Sequence, residues 1–196
     1  MMLQNVRLSF PQLFTAASFS PEQKKKFSAT LLFDADGAIH GQVKKATVEA
    51  AEAKWPGKGA AMVKQLAAQG KLALRNGAEK PNYDGFGDGV MFVNASNDKR
   101  PTVIDRDRTP LTEEDGRVYA GCYVNAMVEF WAQDNQFGKR VNCSLRGVQF
   151  VSDGEPFGGG GVPATADDFP ELEDSSAPQT DAVDTGWDDD DDPFAT

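Results

Sequence analysis

Four short segments are predicted to form β-strands, because apolar and β-branched residues alternate or predominate in them: 6–10, 27–33, 90–96 and 102–104. In the first segment Val6, Leu8 and Phe10 alternate with polar neighbours, and Pro11 is predicted to end the strand. Turn-forming residues follow or separate the segments, as they do between consecutive strands of a sheet.

The pattern changes to a helical period in one stretch, about 39–69. It predicts a helix over 39–54 that ends at Trp55-Pro56-Gly57, and a second helix from about 60 to 69. Residues 76–89 are rich in Gly, Asn and Asp and are predicted to form a loop. Because the helices form a single insertion between strands, the pattern indicates a mainly β protein, a barrel or sandwich with a helical insertion.

The clearest strand pattern lies in residues 117–151. Even positions of its first half are small or apolar: Ala120, Cys122, Val124, Ala126, Val128, Phe130 and Ala132. The opposite face carries the aromatic residues Tyr119, Tyr123 and Trp131 among polar ones. After a turn at 134–138, the chain is predicted to return with Val141, Cys143 and Leu145 inward and with Arg140, Asn142, Ser144 and Arg146 outward. A shift of the pattern at Gly147 predicts a β-bulge.

The mixed face of this predicted hairpin suits single-stranded nucleic acid. Bases stack on aromatic rings whatever their identity, and Arg140 and Arg146 would neutralise phosphates. The alternative is that a second layer, such as the helical insertion, covers this face and makes Tyr119, Tyr123 and Trp131 part of the core.

Charge is distributed very unevenly along the chain. The net charge is −10, but every Lys and Arg lies at or before Arg146, so residues 1–155 carry +2 and residues 156–196 carry −12. A mildly basic body followed by a strongly acidic tail indicates contacts with nucleic acid or with protein partners. Loops of the body supply further candidates for a DNA interface: Lys24, Lys25, Lys26, Tyr83, Phe86, Lys99, Arg100, Arg106, Arg108, Phe137 and Lys139. Arg106 and Arg108 could instead pair with Asp105 and Asp107.

Catalytic and metal-binding residues are sparse. With a single histidine, His40, a His-based catalytic or zinc site is disfavoured, and no nucleophile–base pair is evident. We therefore predict a protein that is not an enzyme and needs no cofactor. Cys122 and Cys143 are expected to be small buried side chains rather than a disulfide or metal pair. The sequence shows neither a signal peptide nor an apolar run of the roughly 18 residues that span a bilayer, which predicts a cytoplasmic protein without a membrane partner.

Residues 162–196 are predicted to be disordered and to follow a glycine-rich joint at 156–161, which divides the chain into a body, 1–155, and a tail, 156–196. Near its end Trp187 and Phe194 bracket a run of five aspartates and a proline, Asp188, Asp189, Asp190, Asp191, Asp192 and Pro193. Aromatic residues around an acidic run suggest a partner-docking peptide. The same charges could also compete with DNA for the groove of the body. This tip resembles the acidic tip of bacterial single-stranded DNA-binding proteins, from which it differs because Ala195 and Thr196 follow Phe194.

The body resembles a family of phage single-stranded DNA-binding proteins, formerly a domain of unknown function. The resemblance runs from about residue 3 to residue 157 and rests on four segments: Val6-Arg7-Leu8-Ser9-Phe10-Pro11, Arg100-Pro101-Thr102-Val103-Ile104-Asp105, Tyr119-Ala120-Gly121-Cys122-Tyr123-Val124-Asn125-Ala126 and Leu145-Arg146-Gly147-Val148-Gln149-Phe150-Val151 with Asp153-Gly154-Glu155. It implies an OB-fold barrel, sequence-independent binding of single-stranded DNA and a disordered acidic C-terminus.

The sequence thus predicts a protein that coats single-stranded DNA during phage replication or recombination in the infected bacterial cytoplasm. Its tail would recruit replication or recombination proteins. Two other classes stay open at this point. One is an acidic phage interaction protein, such as a host-enzyme inhibitor or an assembly scaffold, that does not bind nucleic acid. The other is a Mg²⁺-dependent nuclease, for which the sequence offers no convincing set of carboxylates.

Overall fold

The computed structural model of the protein describes residues 1–18 and 23–158. The elements in this part of the chain are, in order, β1 (Met2–Ala17), β2 (Lys26–Asp34), α1 (Ala38–Lys54), α2 (Gly59–Ala68), β3 (Leu74–Asn76), β4 (Val90–Asn97), β5 (Thr102–Ile104), β6 (Tyr123–Asn135) and β7 (Gly138–Ser152). Both predicted helices and three of the four short strands are confirmed within one or two residues, and the long hairpin is confirmed except for the start of its first strand. The mainly β class is confirmed as well.

The strands form a closed barrel. Hydrogen bonding runs in the order β3-β4-β2-β1-β6-β7-β5, and residues 71–73 join β4 to β7. The Asn94 N–H donates to the Ala73 carbonyl at 3.1 Å, and the Ala73 N–H donates to the Val141 carbonyl at 2.8 Å. The five long strands therefore close in the order β1-β2-β4-β7-β6, with the short β3 and β5 added beside them. This is an OB-type barrel.

The interior of the barrel contains the side chains that the strand alternation predicted to face inward. Val124, Ala126, Val128 and Leu145 are at most 1% exposed. The register of β6 and β7 skips a residue between Met127↔Gly147 and Val128↔Leu145, which confirms the bulge predicted at Gly147. Cys122 and Cys143 are free and buried, as predicted, and burial raises the pKa of their thiols to about 11 and about 12.

The helical insertion packs against the inward-facing side of the strands and not against the outer face of the hairpin. Val43 of α1 is fully buried in the main core. Ala51 of α1 and Leu66 of α2 pack with Val141, which faces inward from β7. The outer face of β6 stays accessible, and Trp131 on that face is 42% exposed. The helices therefore do not cover this face.

The prediction that β1 ends at Pro11 is wrong. The strand continues to Ala17 because two irregularities absorb its bends. Asn5 and Phe10 adopt positive φ angles of 51° and 46°, and the pairing with β2 shifts between Ser9 and Gln12. Pro11 lies within this shift, where its missing N–H breaks no ladder bond. As a consequence Ser9 is buried, whereas Phe10 is 41% exposed.

The predicted start of the hairpin strand is also wrong, because residues 119–122 form a turn before β6. Tyr119 is half-buried against the core, and its hydroxyl accepts the Gly154 N–H at 3.1 Å. Burial is the main cause that raises its pKa. Tyr119 therefore anchors the chain after β7 and does not share the open face with Tyr123 and Trp131.

We expect Gly121→Ala to destabilise the protein. Gly121 has φ 109°, and a Cβ there would lie 2.1 Å from the Glu155 carbonyl oxygen. Backbone strain alone costs about 1–3 kcal/mol, and the clash with main-chain atoms adds to it. Gly116→Ala is the matched control, since φ is 61° and a Cβ would meet nothing within 4 Å. Urea unfolding should show the larger loss for Gly121→Ala; equal losses would contradict the close approach.

Candidate nucleic-acid interface

An aromatic cluster lies on the outer surface of β2 and β4. It consists of Phe10, Tyr83, Phe86 and Phe92, with ring centroids 5.2–6.2 Å apart along the chain of contacts. Phe92 is fully buried and Phe86 half-buried, whereas Phe10 is 41% and Tyr83 52% exposed. The two inner rings therefore support the two outer rings, which face solvent and offer stacking surfaces.

Lys80 lies at the centre of this cluster. Its Nζ is 5.1 Å from the centroid of Phe10, 5.7 Å from that of Tyr83 and 5.3 Å from those of Phe86 and Phe92. Desolvation by the rings lowers the pKa of Lys80, the positive charge of Arg75 lowers it further, and Glu79 partly opposes both. The cluster thus combines stacking surfaces with one cation, the pairing that single-stranded nucleic acid needs.

Two adjoining recesses extend from the cluster across β4. The first, of about 350 Å³, is bordered by Phe10, Tyr83 and Lys80 and shares Asn94 and Ser96 with the second. The second, of about 220 Å³, is a basic groove between β4 and β7. Lys71, Arg75, Arg140 and Asn142 line this basic groove. Rings and cations therefore follow one another along the outer face of β2, β4 and β7.

A larger recess of about 500 Å³ lies near the start of α1, but it suits nucleic acid less well. Arg7, its one basic side chain, donates to the Gly121 carbonyl at 3.1 Å and to the Glu155 carbonyl at 2.7 Å. Arg7 also lies over the ring of Phe157, 4.4 Å from its centroid. Asp34 contributes a negative charge to the same recess. Arg7 therefore holds the segment after β7 in place.

The residues predicted to share the outer face of the β6–β7 hairpin do so in the structure, apart from Tyr119. Trp131 pairs with Asn142 across β6 and β7, and its indole donates to Ser144 Oγ at 2.9 Å. Arg146 forms an ion pair with Glu129. Tyr123 is half-buried beneath Arg7, whose guanidinium lies 5.7 Å from its centroid. Trp131 and Arg140 are thus more available to a ligand than Tyr123 or Arg146.

The other predicted basic residues lie in loops around the barrel. Lys24 pairs with Asp98 at 2.7 Å and Lys26 with the same carboxylate at 3.8 Å, whereas Lys25 is exposed. Lys139 pairs with Asp134 at 3.7 Å. Phe137, at the tip of the β6–β7 hairpin, is 74% exposed.

The remaining basic candidates flank β5. Lys99 is exposed, and Arg100 lies over Phe14 at 5.3 Å. Arg106 and Arg108 are exposed after β5, outside both recesses, and in the described part of the chain neither forms an ion pair with Asp105 or Asp107. The candidate tail residues Trp187 to Phe194 lie outside the described residues.

Sequence reasoning missed five residues of this site: Phe10, Lys71, Arg75, Lys80 and Asn94. The alternation alone puts Phe10 on the same face as Val6 and Leu8, because the bulge that turns it outward leaves no mark in the sequence. A signal existed for Lys80, which precedes Pro81 and lies three residues before Tyr83 in the predicted loop. Such a cation beside an exposed ring is typical of single-strand binding loops.

The chain matches a known family over most of its length. Residues 1–180 match the family described as Enterobacter phage Enc34, ssDNA-binding protein. The chain belongs to this family. A relative from Acyrthosiphon pisum secondary endosymbiont phage 1, protein p50, is 42% identical over 173 residues, which cover 87% of this chain and 92% of p50.

Two solved structures resemble this family member. One is the single-stranded DNA-binding protein from bacteriophage Enc34 in complex with ssDNA, with a TM-score of 0.68, 28% identity and coverage of 80% of this chain and 88% of that one. The other is gp2.5, a single-stranded DNA-binding protein encoded by bacteriophage T7, with a TM-score of 0.51 and 16% identity over 91% of this chain and 98% of that one. The likeness to gp2.5 concerns the fold alone.

The described residues contain neither a membrane-spanning helix nor a cluster of metal-binding side chains. No helix in 1–18 and 23–158 is long and apolar enough to cross a membrane. In the same part of the chain, no group of three or more His, Cys, Asp or Glu side chains could hold a metal ion.

Proposed function

We propose that this protein binds single-stranded DNA along the outer face of β2, β4 and β7, and that it protects exposed strands during phage DNA replication or recombination. The observation that carries the proposal is the pair of exposed rings, Phe10 and Tyr83, beside Lys80 on the β2–β4 face. In OB folds the second and third barrel strands and the loops beside them bind oligonucleotides, and β2 and β4 are those strands here.

The proposed path of the DNA starts at the aromatic cluster, crosses Asn94 and Ser96, and continues into the basic groove. Bases would stack on Phe10 and Tyr83. Arg75 and Arg140 would contact phosphates, with Trp131 as a further ring beyond Asn142. Lys25 in the β1–β2 loop and Phe137 at the hairpin tip would close over the strand, since these loops flank the binding face of OB folds.

Fluorescence anisotropy with labelled oligo-dT and with a duplex of equal length tests this function. We expect tight binding to oligo-dT that weakens steeply with salt, and much weaker binding to the duplex, whose bases are not free to stack. An acidic interaction protein, the alternative left open by the sequence, would bind neither. That result would overturn the proposal.

The lowered pKa of Lys80 predicts that binding depends on pH. A phosphate beside Lys80 favours its charged form, so DNA binding should raise this pKa and take up a proton. Affinity should therefore decline as the pH rises through the lowered pKa of the free protein. Arginine stays protonated throughout, so Lys80→Arg should remove the decline. Titrations with oligo-dA from neutral to alkaline pH measure this decline in affinity. Equal declines in the wild-type protein and in Lys80→Arg would contradict the role of Lys80.

We further propose that the acidic tail competes with DNA for this face and recruits replication or recombination proteins. The chain leaves the described body beside the aromatic cluster, since Gly158 N–H donates to Asp84 Oδ2 at 2.7 Å, one residue after Tyr83. Residues 159–196 carry twelve acidic and no basic side chains. Because the tail is attached beside the aromatic cluster, its carboxylates would have a high effective concentration at the basic groove. Trp187 and Phe194 would dock into apolar pockets of a partner, with Asp188 to Asp192 at a basic rim.

Truncation after Gly158 tests the competition and preserves the Phe157–Arg7 contact. We expect affinity for oligo-dT at low ionic strength to rise about tenfold or more, and the gain to vanish at high salt. The full-length variant in which Asp188 to Asp192 are replaced by asparagine keeps the length of the tail and should give part of the gain. Unchanged or weaker binding by the truncated protein would contradict competition.

A further inference from the structure

The segment after β7 is anchored to the body through Phe157. The N–H of this residue donates to the Ala120 carbonyl at 2.9 Å, and its ring lies beside Arg7, whose guanidinium is 4.4 Å from the ring centroid. The same guanidinium donates to two backbone carbonyls, at 3.1 and 2.7 Å, and lies 5.7 Å from the ring centroid of Tyr123. Because the guanidinium is itself held in place, its attraction for the ring gives Phe157 a defined position on the body.

The tip of the Phe157 ring contacts the loop between β3 and β4, residues 77–89, which we call the Tyr83 loop. A Cβ added at Gly85, where φ is 79°, would overlap the ring of Phe157, so the ring lies directly against the loop backbone. Beside this contact, Gly158 N–H donates to Asp84 Oδ2 at 2.7 Å. The segment after β7 therefore contacts the loop at the two residues that follow Tyr83.

The Tyr83 loop has few other attachments to the barrel. In the described part of the chain, the bond from Gly158 to Asp84 is the one hydrogen bond that joins residues 81–88 to another segment. Tyr83 N–H donates to the Lys80 carbonyl at 3.2 Å, which keeps that bond within the loop. The rings of the aromatic cluster add packing contacts. Segments with few bonds to their surroundings open locally at low cost, so the contact with Phe157 should matter for the position of Tyr83.

We propose that Phe157 is a positioning residue of the DNA interface. Packed between Arg7 and Gly85, it keeps the Tyr83 loop in the conformation in which the Tyr83 ring stacks on a base, and it does not contact DNA itself. The inference rests on the proposed function and deepens it. When only a fraction of the molecules has the loop in place, the observed affinity falls by that fraction. The positioning residue thus belongs to the start of the tail, 156–196, and not to the barrel.

Titrations of full-length variants with oligo-dT test this role. Ordering one side chain on binding costs a factor of roughly two to ten in affinity, so we expect Phe157→Ala to bind roughly fivefold more weakly. The slope of log K against log salt should not change, because no phosphate contact is lost. Phe157→Leu keeps an apolar side chain between Arg7 and Gly85 and should retain most of the affinity.

A second pair of variants tests the bond beside Phe157. Asp84→Asn and Asp84→Ala remove the same negative charge, but only the asparagine keeps an oxygen that can accept from Gly158 N–H. The alanine variant should therefore bind oligo-dT more weakly than the asparagine variant. Equal affinities of the two variants would contradict a role of this bond in holding the loop.

A double-mutant cycle with Tyr83→Ala separates positioning from direct contact with DNA. If Phe157 acts through the Tyr83 loop, Phe157→Ala should lower the affinity much less once the Tyr83 ring is absent. Equal fold losses with and without that ring would mean that Phe157 contributes independently of Tyr83, and this result would overturn the proposal.

Amide hydrogen exchange of the free protein provides a readout that does not depend on DNA. We expect Phe157→Ala to speed exchange in residues 82–86 and to leave the strands of the barrel protected as in the wild type. Unchanged exchange in 82–86, or faster exchange throughout the barrel, overturns the positioning role alone. Failure of the wild-type protein to bind oligo-dT overturns the proposed function and, with it, the role assigned to Phe157.

Discussion

Replacing Phe10 and Tyr83 together with alanine is expected to lower the affinity for oligo-dT by at least about 30-fold. Each base that stacks on an aromatic side chain contributes about 1–3 kcal/mol, so the loss of two rings corresponds to roughly 2 kcal/mol or more. These are the two exposed rings of the aromatic cluster, whereas Phe86 and Phe92 remain to maintain the fold. Anisotropy titrations at one fixed salt concentration measure the effect.

A ring-preserving variant provides the matched control. Phe10→Tyr combined with Tyr83→Phe keeps both rings and should bind nearly as the wild type does. Met2→Ala removes an apolar side chain of similar exposure, 44%, from the far end of β1, and should have no effect. If the alanine double variant also binds like the wild type, the rings do not stack on bases and the aromatic cluster is not the interface.

Neutralising Lys80, Arg75 and Arg140 together is expected to reduce both affinity and its dependence on salt. For single strands, each lost phosphate contact reduces the magnitude of the slope of log K against log salt by about 0.7. The loss of three contacts therefore reduces it by roughly 2. If the affinities converge near ~1 M salt, this slope predicts roughly 100-fold weaker binding at ~0.1 M. The glutamine triple variant, titrated over a range of salt concentrations, measures both quantities.

The control for this variant removes the same number of positive charges from another surface of the protein. Lys44, Lys45 and Lys54 are exposed on α1, which packs on the inward-facing side of the strands. Their glutamine triple variant should keep most of the slope, since these lysines only contribute to the general field of the protein. Equal slopes in the two triple variants would mean that net charge, and not the groove, accounts for the binding.

Much of the fold could be predicted because local patterns agree with the tertiary structure. The even positions from Val124 to Val128 face the core because a strand at a barrel wall alternates between its two faces. Gly147 marks the bulge because the apolar period changes there, and Trp55-Pro56-Gly57 ends α1 because proline cannot continue a helix.

The site was harder to predict because it depends on irregularities and on distant contacts. Phe10 faces outward only because β1 shifts register beside Pro11, and a shift of one residue moves a side chain to the other face. Tyr119 has the residue type of a stacking platform, but the close approach of Gly121 and Gly154 makes it an anchor. Asn94 lies beside Thr30 only through the pairing of β4 with β2, which joins residues 64 apart along the chain.

The position of charge along the chain also shaped the function that could be predicted. The net charge of −10 would repel phosphate if it were spread over the surface. Because the acidic excess lies beyond the described body, the β2–β4 face and the basic groove keep a cationic lining. The location of the charge, rather than its sum, is compatible with the proposed binding of single-stranded DNA on this face.

Photo-cross-linking tests the central claim most directly. An oligo-dT that carries iododeoxyuridine at several positions is bound to the full-length protein and irradiated. It then forms covalent cross-links with the side chains on which its bases stack. We predict adducts on Phe10 and Tyr83, mapped by mass spectrometry of the digested complex and competed by unlabelled oligo-dT. Adducts confined to the β6 rings Tyr123 and Trp131, or to the Met2 end of the barrel, would contradict binding on the β2–β4 face.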